Sequence, residues 1–238
     1  EYTVCVRKNA NDGEDLPDII GCLEIPASIT YSGHDYLVTQ IDKEGFDDLS
    51  GITNVVIPEG VVSTEYFPFC DCPNLISIDI PASLVFSGDI YYMQSFANNC
   101  PKLTAININP ANTTISSYDG AVYSADGKTL FFVPEGKQEI EFAPTINSFV
   151  ENTFYNGGLI SVTIPESVTI IPRSCFAGCS SLNTITFHPQ VVTIDLNAFA
   201  NCSSLSNISL PDGLINLGER AFEGCTSLTS VTIPDNVV

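Results

Sequence analysis

The fold is decided by a repeated phrase whose clearest copy is Cys202-Ser203-Ser204-Leu205-Ser206-Asn207-Ile208-Ser209-Leu210-Pro211. Nearly the same phrase opens at Cys179 one unit earlier and at Cys225 one unit later, a spacing of 23 residues. A phenylalanine three residues ahead of each cysteine keeps that spacing, at Phe176, Phe199 and Phe222. A fixed period of this length, with Leu-x-x-Ile-x-Leu inside it, is typical of a solenoid of leucine-rich repeats. A single coil cannot bury its own apolar residues, so neighbouring coils should stack.

The same unit can be followed outward from residue 46 to residue 238. Its anchors are the aligned phenylalanines Phe46, Phe69, Phe96, Phe154, Phe176, Phe199 and Phe222. Each anchor precedes a turn, a short strand and usually a proline, which ends the strand pairing because it has no N–H. We therefore predict an α/β-type repeat solenoid that is mostly β, right-handed, with a face of parallel strands and short irregular or helical turns opposite. The aligned phenylalanine rings should stack in a ladder.

Alternation within each strand assigns its side chains to the inside or the outside of the coil. Each strand then has two outward residues, and stacking the coils gathers them on one surface, called the strand face below. The predicted outward pairs are Asn54/Val56, Ser77/Asp79, Ala105/Asn107, Ser161/Thr163, Thr184/Thr186, Asn207/Ser209 and Ser230/Thr232. This face is a candidate protein-binding surface, although it lacks the large aromatic and arginine anchors on which tight interfaces depend.

Two segments depart from the repeat. Residues 1–45 contain alternating runs and turn signals, and we predict a β-hairpin cap there, since a solenoid needs an atypical first unit. Residues 111–137 interrupt the array, and two alternating runs joined at Asp126-Gly127 predict a hairpin that protrudes from one edge. The repeat strands should resume at Ile140-Glu141-Phe142. The array of residues 46–238 shows no closing cap, so we expect its C-terminal end to be uncapped.

Large side chains that could anchor a partner collect in these departures from the repeat. The insert contains Tyr118, Tyr123, Phe131 and Phe132, and the lengthened unit before Phe96 contains Tyr91, Tyr92 and Met93. Alternation should bury about half of them, which makes Tyr118 and Tyr123 the expected exposed pair. The alternative is that all of these side chains pack the insert against the coils.

Nine cysteines raise the questions of metal binding and disulfides. Five of them share one repeat position, and we predict a ladder of small buried side chains at Cys72, Cys100, Cys179, Cys202 and Cys225. Their spacing matches no zinc site, so we predict neither a metal nor a cofactor. Cys5 and Cys22 lie outside the array on strands of the cap that should be neighbours. A disulfide between them is the alternative to two free thiols in an exported protein.

Composition excludes several functions. A formal net charge of −20, with eight scattered basic residues, disfavours nucleic acid, whose binding needs clustered lysine and arginine. The acidity either attracts a basic partner or calcium, or keeps an apolar-rich chain soluble. No apolar run reaches the roughly 18 residues that cross a bilayer, so membrane attachment would need an anchor outside this chain. No nucleophile, phosphate-binding or zinc-protease motif occurs, and we predict no enzymatic activity.

The unit Ile-Pro-x-x-Val-x-x-Ile-x-x-x-Ala-Phe-x-x-Cys-x-x-Leu-x-x-Val-x-Ile-Pro resembles the BspA-type leucine-rich repeat, related to the Treponema pallidum class. The match is closest over residues 165–234 and departs from the pattern at Leu49, Pro68 and Asn156. The resemblance implies a cell-surface or secreted adhesion protein of a host-associated bacterium that binds host extracellular matrix or other surface proteins, with a partner of the fibronectin or fibrinogen kind as one example. It transfers no catalytic residue. The alternative is a passive spacer that carries another domain away from the cell surface.

Overall fold

The computed structural model describes residues 2–6, 19–66, 68–86 and 96–238, the first range as backbone alone. Its strands, numbered in chain order, are β1 (Tyr2–Val6), β2 (Gly21–Glu24), β3 (Ser28–Tyr31), β4 (His34–Ile41), β5 (Ile52–Val56), β6 (Ser63–Thr64), β7 (Ser77–Ile80), β8 (Ala105–Ile108), β9 (Ile115–Tyr118), β10 (Ala121–Ser124), β11 (Thr129–Phe132), β12 (Ser148–Phe149), β13 (Ser161–Thr163), β14 (Ile170–Ile171), β15 (Thr184–Thr186), β16 (Thr193–Ile194) and β17 (Asn216–Leu217).

The strand face is built from parallel strands, one from each coil. The insert of residues 111–137 divides the array into an N-terminal half before it and a C-terminal half after it. In the N-terminal half β2, β5, β7 and β8 pair side by side in that order. In the C-terminal half β13 pairs with β15, and a single bridge from Thr184 to Asn207 continues the row. Inward residues such as Val55, Ile78 and Ile106 are fully buried, because alternation turns every second side chain into the coil. The predicted repeat fold is confirmed.

A second row of very short strands runs along the coils beside the strand face and is called the second wall below. In the C-terminal half β14, β16 and β17 pair in parallel, with Ile171 opposite Ile194 and Ile194 opposite Leu217. In the N-terminal half β6 pairs with β4 of the cap. The segments that carry the phenylalanine anchors are tight turns, and the described residues include no helix.

The phenylalanine rings form the predicted ladder within each half. Phe154, Phe176, Phe199 and Phe222 stack with centroid distances of 4.5, 5.2 and 5.5 Å and interplanar angles of at most 9°. Phe46 stacks on Phe69 at 5.6 Å, whereas Phe96 meets Phe69 edge-on. Each ring fills the turn side of its coil, so the ladder is a continuous apolar column that ties successive coils together.

Left-handed backbone beside the rings makes the tight turns possible. Beside six of the seven anchors, the described residues two positions before or after the ring have φ from 51° to 78°, and they are Glu44, Asp48, Asp71, Asn152, Asn156, Ser174, Gly178, Asn197, Asn201, Arg220 and Gly224. After Phe96 the left-handed residue is Asn99, three positions beyond the ring. Asparagine, aspartate and glycine dominate this set because they tolerate positive φ better than other residues. The spacing Phe-x-Asn/Asp/Gly is therefore a turn requirement of the repeat.

The cap is joined to the array without a break in the sheets. Its strand β2 pairs with β5 and so begins the strand face, while β4 begins the second wall. The predicted hairpin is present as β3 and β4, and Ser32 and Gly33 between them have φ of 50° and 78°. Positive φ at both central residues is the geometry of a type I′ turn, the two-residue connection that suits twisted antiparallel strands.

The insert differs from its prediction in two ways. It contains three antiparallel strands, β9, β10 and β11, with β12 added in parallel beside β11. It also does not protrude, because β10 is buried on both faces: Val122 belongs to the N-terminal core, and Ala121 and Tyr123 belong to the C-terminal core. The insert is thus the layer through which the two halves of the array meet.

The prediction that a repeat strand resumes at Ile140-Glu141-Phe142 is wrong. These residues form no strand, although their segment lies between the two halves of the strand face: Gly136 N donates to Leu103 O and Ile160 N donates to Gln138 O. The neighbouring position beside β8 is taken by the turn between β9 and β10, since Ile106 N donates to Gly120 O at 2.9 Å.

Candidate functional site

The outward residues of the N-terminal half are fixed by hydrogen bonds between coils. Asn54 Nδ2 donates to Ser77 Oγ at 2.7 Å, and Asn107 Nδ2 donates to Asp79 Oδ1 at 2.8 Å. All four side chains are half-exposed or exposed, as alternation predicts, and the outward Val56 and Ala105 are half-exposed. A polar group held in this way loses little conformational freedom when a partner binds.

The outward residues of the C-terminal half are exposed but are not bonded to each other. Ser161, Thr163, Thr184, Thr186, Asn207 and Ser209 all reach solvent. Within residues 161–209, all of which the structure describes, no side-chain hydrogen bond joins outward residues of different coils. Ser230 and Thr232 are exposed as well, but they lie outside any strand. This part of the face presents short hydroxyl and amide groups that a partner could bond.

The middle of the strand face is formed by the turn of the insert. Tyr118 is half-buried, and its hydroxyl donates to Glu141 Oε1 at 2.8 Å, which raises the pKa of Tyr118. Asp119 Oδ2 accepts from Glu141 N and pairs with Lys137 Nζ at 3.0 Å. The Lys137 side chain is only 11% exposed, so this ion pair fastens the turn to the segment beneath it.

The expectation that Tyr123 is exposed is wrong. Tyr123 is fully buried because β10 lies between the two cores, and burial raises the pKa of its hydroxyl to about 12. Its oxygen accepts from Ala143 N at 3.3 Å. Phe132 is buried and Phe131 packs against Phe86. For these side chains the alternative prediction, that the aromatic residues pack the insert against the coils, is therefore correct. The remaining candidates, Tyr91, Tyr92 and Met93, lie outside the described residues.

Exposed tyrosines occur at positions to which the sequence analysis assigned no role. Tyr31, next to the turn of the cap hairpin, is 70% exposed, and Tyr155 is 50% exposed. Tyr155 follows its anchor at the position where Ala177 and Ala200 stand in later coils. Alignment of the units could therefore have flagged Tyr155, since a large residue replaces a small buried one there.

The repeat cysteines do more than fill space. Each thiol donates to the carbonyl oxygen of a phenylalanine anchor in the preceding coil: Cys72 to Phe46, Cys100 to Phe69, Cys179 to Phe154, Cys202 to Phe176 and Cys225 to Phe199, at sulfur–oxygen distances of 2.9–3.4 Å. The predicted buried ladder is confirmed. Sequence periodicity alone does not indicate the acceptor, because that oxygen belongs to the backbone.

The two cysteines of the cap do not lie on paired strands. β1, which carries Cys5, pairs with β4, whereas β2, which carries Cys22, pairs with β5 in a different sheet. Cys22 is exposed, and its thiol is free in the structure. The Cys5 side chain lies outside the described part, so the disulfide stays a prediction.

One group of carboxylates is close enough to be considered for a cation. Oxygens of Asp47, Asp48 and Asp71 lie within 4.8 Å of one another. Their proximity has a structural cause, since Asp48 and Asp71 occupy the same left-handed turn position in successive coils. Burial, followed by repulsion from Asp48 and Asp71, raises the pKa of Asp47. Acidic groups alone do not establish a metal site, and the stacking of the coils is sufficient to explain why these three carboxylates lie close together.

No helix in the described part of the chain is long and apolar enough to cross a membrane.

The fold is similar to that of the pneumococcal vaccine antigen PcpA, with a TM-score of 0.65 and 17% identity over 98% of this chain and 75% of that one. It is also similar to a leucine-rich cell surface protein from Faecalibacterium prausnitzii A2-165, with a TM-score of 0.54 and 18% identity over 91% and 82% of the two chains. The comparison with curated proteins finds no significant match.

The sequence itself matches a family model. The model describes a BspA-type leucine-rich repeat region, and six copies of it cover residues 25–124 and 127–238. The matched residues include the cap hairpin, the array on both sides of the insert and most of the insert itself. The chain therefore belongs to the BspA-type leucine-rich repeat family.

Proposed function

We propose that this chain is a non-enzymatic protein-binding module at the surface of a bacterial cell or secreted from it, and that its strand face meets the partner. The observation that carries the proposal is the strand face itself, a row of exposed short polar side chains supported by a buried core in every coil. Such a row offers many hydrogen-bonding groups on a rigid support, as extended repeat surfaces generally do.

Two further observations support the proposal, one for the location at the cell surface and one for the absence of catalysis. One solved structure of similar fold is described as a leucine-rich cell surface protein and another as a vaccine antigen. The fully buried Cys179 is also a poor candidate for catalysis, since burial raises its pKa to about 12 and a cysteine nucleophile must be a thiolate. We infer that the partner is an extracellular protein of a host, for which fibronectin and fibrinogen are the first probes.

A passive spacer is the second candidate. The observation that favours it is the C-terminal part of the strand face, where serine, threonine and asparagine provide no large anchor. In that case the array would separate another domain from the cell and would bind nothing through its own strands. The half-buried Tyr118 in the middle of the face is the aromatic group that a binding face would use.

Matched arginine substitutions distinguish the two candidates. Thr163→Arg and Thr186→Arg place a long charged side chain on the strand face, and Thr169→Arg places one at an exposed threonine of the second wall. Binding of purified protein to immobilised fibronectin and fibrinogen is measured by surface plasmon resonance. We expect the two strand-face variants to weaken binding at least tenfold and the second-wall variant to leave it within twofold.

The control for folding is the midpoint of thermal unfolding, which should shift little in all three variants because the replaced side chains are exposed. Equal loss of binding in the strand-face and second-wall variants would move the site away from the strand face. No binding to either protein or to host cells by the unmodified chain would favour the spacer.

A further inference from the structure

A groove runs along one edge of the strand face, where each strand meets its closing proline. In the N-terminal half it encloses about 360 Å³ between β5, β7 and β8. Grooves of about 340 and 250 Å³ lie at the same repeat position in the C-terminal half, beside Pro189, Pro211 and Pro234. The groove is thus a property of the repeat: the proline turns the chain away and leaves the end of each strand uncovered. The first of them is called the N-terminal rim groove below.

The floor of the N-terminal rim groove is apolar and its rim is acidic. Ile57, Ile80 and Ile108 occupy one repeat position and form the floor, with exposures of 3%, 3% and 8%. Glu59 and Asp79 stand at the rim. An apolar floor below carboxylates suits a side chain with a long aliphatic stem and a cationic end.

Both carboxylates are held in place. Glu59 accepts hydrogen bonds from Ala82 N at 2.8 Å, Ser83 N at 3.1 Å and Asn109 Nδ2 at 3.2 Å. The bond from Ala82 N is the main reason that the pKa of Glu59 lies below its usual value, so Glu59 is ionised at neutral pH. Asp79 accepts from Asn107 Nδ2. None of the ion pairs among the described residues includes either carboxylate, so this charge is not neutralised within the described part of the chain.

The grooves of the C-terminal half have the same shape but less charge. Asp212 lines both of them as their only carboxylate, beside neutral groups such as Thr186 and Ser209. The two halves therefore provide a comparison within one molecule, in which a groove of similar size carries two fixed charges or one.

We propose that the N-terminal rim groove binds an extended basic segment of the partner protein, an inference that rests on the protein-binding function proposed above. Lysine or arginine stems of the segment lie over the isoleucine floor, and their cationic ends pair with Glu59 and Asp79. Charge-assisted hydrogen bonds of this kind supply orientation and specificity. The net charge of −20 draws a basic segment toward the protein from a distance.

The test uses a fluorescein-labelled eight-residue peptide of alternating lysine and valine, with an alternating glutamate and valine peptide as the negative probe. Fluorescence anisotropy measures their affinity for the full chain in 50 mM salt. The double variant Glu59→Gln, Asp79→Asn should weaken binding of the lysine peptide at least fivefold. The matched double variant Asp212→Asn, Asp235→Asn removes the same charge from the C-terminal half and should change the affinity less than twofold.

Equal weakening by the two double variants would overturn the proposal, because attraction would then follow total charge and not the groove. The same holds if neither variant weakens binding or if the unmodified chain does not bind the lysine peptide. Binding of both double variants to fibronectin or fibrinogen, measured in parallel, separates the two proposals. Undiminished binding there together with loss of the lysine peptide would leave the strand-face function intact and would exclude the groove as the partner's site.

Discussion

The N-terminal and C-terminal halves of the array differ in a way that their sequences do not suggest. The C-terminal copies keep the 23-residue spacing of Phe176, Phe199 and Phe222, yet their strand face contains two strands of three residues and one bridge. The N-terminal copies are irregular, yet four strands of four or five residues pair there. The regular sequence of the C-terminal half is matched by a more uniform stack of phenylalanine rings. It is not matched by longer strands.

The inner residue at the end of each strand also differs between the halves. In the N-terminal half this position is Ile57, Ile80 and Ile108, three side chains of equal volume. In the C-terminal half it is Ile164, Phe187 and Leu210, and the Phe187 ring meets Phe199 edge-on at 5.9 Å. β7 pairs with β8 through this position, whereas the pairing of β5 with β7 and of β13 with β15 stops one residue before it. We expect equal volumes to favour the longer pairing, because they let successive coils keep the same separation.

The largest expected effect tests the burial of β10, the strand that the two halves share. Tyr123→Ala opens a cavity in the strand that both cores share, and we expect the free energy of unfolding to fall by about 3–5 kcal/mol. Urea denaturation followed by circular dichroism measures the loss. The control is Tyr118→Ala on the same hairpin, which should cost less than about 1 kcal/mol because Tyr118 is only half-buried. Equal costs would contradict the buried position of β10.

The role of side-chain volume is tested by exchanging it between the halves. Ile80→Phe overfills the uniform N-terminal column and should cost about 1–3 kcal/mol. Phe187→Leu in the already uneven C-terminal column should cost about 1 kcal/mol, chiefly through the lost contact with Phe199. Hydrogen exchange of the strand amides shows where pairing is lost. If Ile80→Phe left the exchange of β5, β7 and β8 unchanged, volume would not explain the longer strands.

Substitution of a repeat cysteine should lower the free energy of unfolding by the same amount in both halves, because the thiol makes the same hydrogen bond in each. Cys202→Ala and Cys100→Ala each remove a donor 3.1 Å from a phenylalanine carbonyl and should each cost about 1–2 kcal/mol. The serine variants should cost less than the alanine variants, because a hydroxyl can bond to the same oxygen. Thermal and urea unfolding measure both pairs. Serine variants that are less stable than the alanine variants would show that the sites behave as purely apolar ones.

The smallest effect concerns the charge of Asp47, directly after the first phenylalanine anchor. Asp47 stands where Ala177 and Ala200 stand in later coils, and its raised pKa means that the folded protein holds the Asp47 proton more tightly than the unfolded chain does. Ionised Asp47 therefore lowers stability above its folded pKa, and the penalty disappears as pH falls below the ordinary value of 3.8. Asp47→Asn should stabilise the protein at pH 7 by up to about 0.5 kcal/mol and not at pH 3. Thermal unfolding at the two pH values checks the sign.

The fold and the strand face could be predicted from the sequence because both follow from local patterns. A 23-residue period fixes the stacking, and alternation fixes which residues point outward. The insert could be predicted only in part. Asp126-Gly127 indicates the hairpin of β10 and β11. Asp119-Gly120, where φ is 48° and 73°, forms a second turn between β9 and β10 that the prediction did not include. Three successive apolar residues, Ala121, Val122 and Tyr123, also indicate a strand buried on both faces.

The rest of the candidate site depends on contacts between residues far apart in the chain. The carbonyl that accepts from Cys202 lies 26 residues earlier, and Lys137 reaches Asp119 only because the insert folds back on itself. The N-terminal rim groove arises from three coils at once. Periodicity aligns such residues but does not give their distances, so these features required the structure.

The buried thiols have a consequence for redox chemistry. Burial raises the pKa of Cys179 to about 12, and the interaction with the Cys225 thiol of the next coil, followed by burial, raises the pKa of Cys202, so both remain thiols at neutral pH. Disulfide exchange and oxidation proceed through the thiolate. Cys179 and Cys202, which occupy the same position in successive coils, can thus stay reduced and unbridged in an oxidising environment for as long as their coils remain stacked. Opening of one coil would expose its thiol to oxidation, so an oxidised ladder cysteine would record local unfolding.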